Sequence, residues 1–184
     1  MIHECYDSFI DLGRLAAIES LQSGSSPMSG ATQGFRLHFD GLANPYTISV
    51  NHQNPGQVAR VQMARAQLER AWPAARAIAG HQRSSGVDAS HVWRGECLQL
   101  ADIFVIERIH RTERADYGKT RGKGATIWVT LRYSVHTAEA VHIHGTGEFD
   151  PGRSLAAAGG MDFEHGKLLA AWLAYHAGGK RWAA

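Results

Sequence analysis

Cysteine is scarce in this chain, with only Cys5 and Cys97 among 184 residues. Two thiols so far apart match no metal-ligand spacing and form no disulfide framework, and they read as buried or free thiols of a reducing compartment. A long apolar run is missing too: nothing approaches the roughly 18 residues of a membrane span. The opening Met1-Ile2-His3-Glu4-Cys5-Tyr6-Asp7 lacks the basic and apolar regions of a signal peptide. A cytoplasmic location is the resulting expectation, with no membrane partner. Nor is there an excess of one charge. The net charge of +2 is too small to imply nucleic-acid binding by itself, so any electropositive surface has to be local.

What is present is ordinary for a globule, at 44% hydrophobic and 20% charged residues. A chain of this length buries roughly 70% of its extended surface and needs no staple. The many Ala, Arg and Gly residues suggest a GC-rich bacterial or phage gene. No internal sequence repeat and no strong domain boundary are evident, so one domain over residues 1–184 is expected.

Apolar spacing at Phe9, Leu12, Ala16 and Leu21 predicts an N-terminal helix over Tyr6 to Gln22, followed by a flexible tether from Ser23 to Gly30. Phe35 to Phe39 and Tyr46 to Val50 read as a hairpin. Asn54 caps a helix whose first residue is Pro55, and Pro73 bends or ends its first part. A β-branched run within Glu96 to Ile109 favours a strand, best defined from Asp102 to His110. Phe163 to Ala177, with Leu168, Leu169, Trp172 and Leu173, reads as an amphipathic closing helix. The expected class is α+β: a mainly antiparallel sheet of about five strands with helices packed on at least one face.

The most informative stretch runs from Thr126 to Glu148. Ile127, Val129, Leu131, Tyr133 and Val135 alternate with Thr126, Trp128, Thr130, Arg132 and Ser134, which assigns the odd-numbered face to the core. If Val141 and Ile143 share that core face, the connection has an odd residue count. His142 then lies opposite Ser134 and His144 opposite Arg132, on one polar face with Trp128. A guanidinium beside imidazoles favours an anion such as phosphate.

Between the strands, His110 to Gly124 reads as a basic tip, and its part Tyr117-Gly118-Lys119-Thr120-Arg121-Gly122-Lys123-Gly124 alternates cations with glycines and contains no carboxylate. Backbone amides, Lys119, Arg121 and Lys123 suit a phosphate chain, and Tyr117 suits a base. The Gly118-Lys119-Thr120 triplet is not a Walker A loop, because Glu113 stands where its first glycine belongs and a strand follows where that motif needs a helix.

Metal chemistry is the competing reading of the histidines. His142-x-His144 sets two imidazoles on one side of a strand, and Glu148 completes a set that zinc, iron or manganese accepts. The spacing of His142, His144 and Glu148 resembles the first cupin motif. It departs from it in carrying His136 at the upstream glycine and Asp150-Pro151-Gly152 where a strand should follow.

Three functions follow. The first is a non-enzymatic binding protein that recognises nucleic acid or a phosphate-bearing nucleotide through Trp128, Arg132, His142 and His144 with the basic loop, and that needs no cofactor. The second is a homo-oligomeric structural or interaction protein, such as a phage component or inhibitor, using the same face as its interface. The third is a metal-dependent enzyme holding a transition metal on His142, His144 and Glu148.

Overall fold

A computed structural model describes residues 1–26, 30–82, 90–116, 126–149 and 155–178. The N-terminal segment is strand rather than helix. Two short strands, β1 (Ile2–Cys5) and β2 (Ser8–Asp11), form a hairpin. Its turn holds Tyr6 at φ 54°, a left-handed conformation that no helix accommodates. The strands β3 (Leu15–Ile18) and β4 (Gln22–Ser26) take the place of the rest of the expected helix and the start of the tether.

The long strand β5 (Gly30–Phe39) pairs with β3 and β4 on one edge and with β6 (Tyr46–Asn51) on the other, giving a four-stranded antiparallel sheet. Helix α1 (Pro55–Gln82) then begins where Asn54 and Pro55 require. The Asn54 side-chain oxygen accepts from Gln57 N at 3.2 Å, satisfying an amide the helix leaves open. Pro73 lies inside this helix, which continues to Gln82 rather than ending there.

A second hairpin, β7 (Ser90–Trp93) and β8 (Glu96–Gln99), is followed by a single 3₁₀ turn at Leu100–Asp102. The expected 96–109 strand is therefore broken, and its reliable part is β9 (Ile103–Glu107). The strands β10 (His110–Asp116), β11 (Thr126–Thr137) and β12 (Val141–Gly145) complete the second meander, and α2 (Leu155–Gly178) closes the described chain. A six-stranded antiparallel sheet runs β1-β2-β9-β11-β10, with β12 on the other edge of β11. The fold is α+β, as expected, but its strands divide among three sheets where one of about five was anticipated.

The order of elements occurs twice, although the sequence shows no repeat. Hairpin, broken strand, long strand, short strand and helix describe β1 to α1 and again β7 to α2. The first four strands of each half start 88 residues apart (Ile2 and Ser90, Ser8 and Glu96, Leu15 and Ile103, Gln22 and His110). The hairpin turns match as well, with Arg94 at φ 51° answering Tyr6. The halves differ in where the hairpin goes. β2 pairs with β9 of the other half, whereas among the described residues β7 and β8 pair only with each other.

Each helix closes one core. Val61, Ala64 and Leu68 of α1 pack with Phe35, Leu37, Phe39 and Ile48, together with Ile10 and Phe104 of the large sheet. Met161, Leu168 and Trp172 of α2 pack on Val129, Leu131, Tyr133 and Val135, with Trp93 of β7 joining them. No helix among the described residues is long and apolar enough to cross a membrane.

Candidate functional site

The alternation of β11 holds for its core face: Val129, Leu131, Tyr133 and Val135 are buried, and only Ile127, near the strand's start, is 43% exposed. The register of β12 departs from expectation by one residue. His136 pairs with Val141, Val135 with His142 and Tyr133 with His144, so the connection has an even count. Thr137 closes it, its hydroxyl donating to Ala140 O at 3.0 Å. Val141 and Ile143 consequently face outward, 50% and 52% exposed. His142 and His144 turn to the core side, away from Trp128, Arg132 and Ser134.

Aromatic partners explain why imidazoles displaced aliphatic side chains there. The Trp93 ring meets His142 at 5.9 Å and His144 at 6.1 Å edge-on. Its Nε1 donates to the Tyr133 hydroxyl at 2.7 Å, and His165 of α2 meets the Tyr133 ring from another direction at 4.8 Å. His142 Nδ1 donates to Glu96 at 3.1 Å. Burial and then the nearby Arg94 charge push the His144 pKa below its ordinary 6.5. Glu148 stands elsewhere, in an ion pair of 2.7 Å with Arg114. Among the described residues, no group of three or more His, Cys, Asp or Glu is placed to hold a metal ion. The His142, His144 and Glu148 set is thus not brought together.

The outward face of β11 gains different company. β10, expected as part of the basic tip, pairs along its whole length with β11, setting His110 beside Arg132, Thr112 beside Thr130 and Arg114 beside Trp128. His110, Thr112, Arg114 and Arg132 are exposed, and Thr130 and Trp128 are half-buried. The result is an open patch of one indole, two guanidiniums, an imidazole and two hydroxyls. The signal that would have found His110 and Arg114 was the two-residue spacing His110, Thr112, Arg114, hidden in a segment that looked irregular for its charge. Arg111 and Glu113, on the other face of β10, pair with each other at 2.8 Å. Tyr117, Lys119, Arg121 and Lys123 lie outside the described residues; in sequence they follow directly on β10.

A second constellation, not anticipated, lies where the two large sheets meet. His136 Nε2 donates to Glu107 Oε1 at 3.0 Å. Burial raises the Glu107 pKa, but hydrogen bonds from His136 and Ser134 together with the charges of His136 and His110 outweigh it and hold the carboxyl below its ordinary 4.5. The Tyr46 ring meets His136 edge-on at 4.8 Å. The Tyr46 hydroxyl is 2.5 Å from that of Ser8, and burial followed by the Glu107 charge raises its pKa.

Compared with known proteins, the chain matches no family model, no curated protein and no solved structure.

Proposed function

We propose that this protein binds single-stranded nucleic acid, or a nucleotide, on the open face of β10 and β11. The observation that carries the reading is the pairing of Arg114 with Trp128 and of His110 with Arg132 on a sheet surface that neither helix core claims. An exposed strand face with an aromatic ring between cations is the arrangement on which unpaired bases stack while their phosphates are held alongside. Lys119, Arg121 and Lys123 extend the same hairpin in sequence, adding cations and no carboxylate. His142 and His144 pair with Val135 and Tyr133 on the opposite face and take no part.

The test is fluorescence anisotropy with a labelled oligothymidylate and the matching oligouridylate across a salt series. The triple variant Lys119→Ala, Arg121→Ala, Lys123→Ala is expected to bind more weakly and to lose about one unit of log-log salt slope per phosphate contact removed, with an unchanged melting temperature. Absence of wild-type binding at low salt, or unaltered binding by the variant, refutes the reading.

Self-association is a second reading, favoured by one observation: Val141 and Ile143 project from β12 on the same side as Trp128. Light scattering decides it. A dimer that Ile143→Asp converts to monomer makes the face an interface; a monomer at all concentrations removes the idea.

A further inference from the structure

The Glu107–His136 pair forms part of the wall of a cleft of about 440 Å³ between the β5–β6 connection and the β11–β12 turn. That volume suits a small organic molecule rather than a polymer. Leu42, Ala43 and Pro45 line one side, and Ala138, Ala140 and Val141 the other. Tyr46 presents a ring, and Glu107 and Glu139 are the two carboxylates in the lining, which contains no lysine or arginine.

The carboxylate at the base has capacity to spare. An ionised carboxylate offers about four acceptor positions, and His136 and Ser134 occupy part of that capacity on Glu107. The side chains of Glu107 and His136 are only 20% and 14% exposed, so the charge sits in a partly dry setting where a matching charge is felt more strongly than in water. An anion would meet two carboxylates and no lysine or arginine. A neutral apolar body would satisfy the walls and leave the remaining acceptor positions of Glu107 idle.

We propose that this cleft is a binding site for a small organic cation, an ammonium group carried on an apolar body. The ammonium donates to Glu107 and lies against the Tyr46 ring, as cations do over aromatic faces, while the body contacts Leu42, Pro45 and Ala140. The site is separate from the β10–β11 face and takes the opposite charge.

Benzylammonium, benzyl alcohol and benzoate share one ring and differ in charge, so they isolate the claim. In titrations followed by amide shifts, benzylammonium is expected to move Ala43, Ala138 and Ala140 saturably, with a dissociation constant on the order of 1 mM for so small a probe. Benzoate should move none of them, and benzyl alcohol should bind at least about tenfold more weakly. Glu107→Gln is expected to lower benzylammonium affinity by about tenfold or more. Should that variant fail to fold, Ala138→Arg decides instead: it places a cation at the exposed rim and is expected to abolish benzylammonium binding while the melting temperature stays put. Equal binding of all three probes, no shift with benzylammonium at tens of millimolar, or benzylammonium affinity unchanged in a folded Glu107→Gln or Ala138→Arg protein overturns the proposal.

Discussion

Trp128 and Val129 are adjacent in sequence yet point to opposite sides of β11, and substituting each with alanine separates binding from stability. Val129 is 1% exposed under α2. Removing its two methyl groups costs about 0.8 kcal/mol each in lost burial plus a cavity term, about 2 kcal/mol together. Trp128 is half-buried. If about half of a roughly 200 Å² indole is covered, its loss at about 25 cal/mol/Å² costs about 2.5 kcal/mol. Val129→Ala should therefore melt about 4–8 °C and Trp128→Ala about 5–10 °C below the parent, given the roughly 2–4 °C per kcal/mol usual for a chain of this size. Their binding should differ. Trp128→Ala removes a stacking contact of about 1–3 kcal/mol, which weakens oligonucleotide binding roughly 5- to 150-fold, whereas Val129→Ala leaves it unchanged. Circular dichroism melts and anisotropy titrations on the same preparations give both numbers. If the two variants bind alike, or if Trp128→Ala costs the ~3–5 kcal/mol typical of a fully buried Trp, the open-face argument is wrong.

Three further outcomes follow from particular contacts. Glu148 competes for Arg114 in an exposed ion pair, so Glu148→Gln should tighten oligonucleotide binding and steepen its salt dependence with a stability change under about 1 kcal/mol; weaker binding would show that Arg114 faces no phosphate. Burial pushes the Cys5 thiol up to about 12, while Cys97 is exposed, so a thiol reagent at neutral pH should label Cys97 promptly and Cys5 only on unfolding. Burial lowers the pKa of His3, His144 and His176 below 6.5. These groups bind protons more readily unfolded than folded, so their contribution to stability is present above about pH 6.5 and is lost as the pH falls below it. Glu107, held below 4.5, extends the loss further into acid, and melting temperatures from pH 7.5 to 4 should fall accordingly; a flat profile contradicts the burial of these imidazoles.

The sequence announced some elements and concealed others for identifiable physical reasons. Local chemistry announced the start of α1, since Asn54 and Pro55 supply the cap and the pre-set first turn without help from the rest of the chain. It likewise announced the core face of β11, where one-sided burial imposes a two-residue period. The N-terminal segment misled because β2 lies between β1 and β9 and is buried on both faces, with Ser8, Ile10 and Asp11 all enclosed. A strand covered on both sides has no alternation to read, and the spacing of Phe9, Leu12 and Ala16 then mimics a helix. The β12 register failed on the assumption that Val141 and Ile143 outrank two histidines for the core. Trp93, from a hairpin some fifty residues away, supplied the aromatic surroundings that drew His142 and His144 inward. The Glu107–His136 cleft was invisible for a related reason, since its walls come from Leu42 to Thr47 and from Thr137 to Val141, far apart in sequence.

The one-way loan of the first hairpin to the other half has a mechanical consequence. Because β1 and β2 extend the sheet of the other half, the second half lacks two strands of its sheet and the first half carries a hairpin that none of its own strands pairs. A chain severed between α1 and β7 would yield one fragment carrying an orphaned hairpin and another whose β9 lacks its neighbour. Each alone should remain loose, yet the two mixed together should find one another and recover the parent's spectrum. What repeats in this molecule is thus a plan rather than an independent module, and the two copies are bound to fold as one.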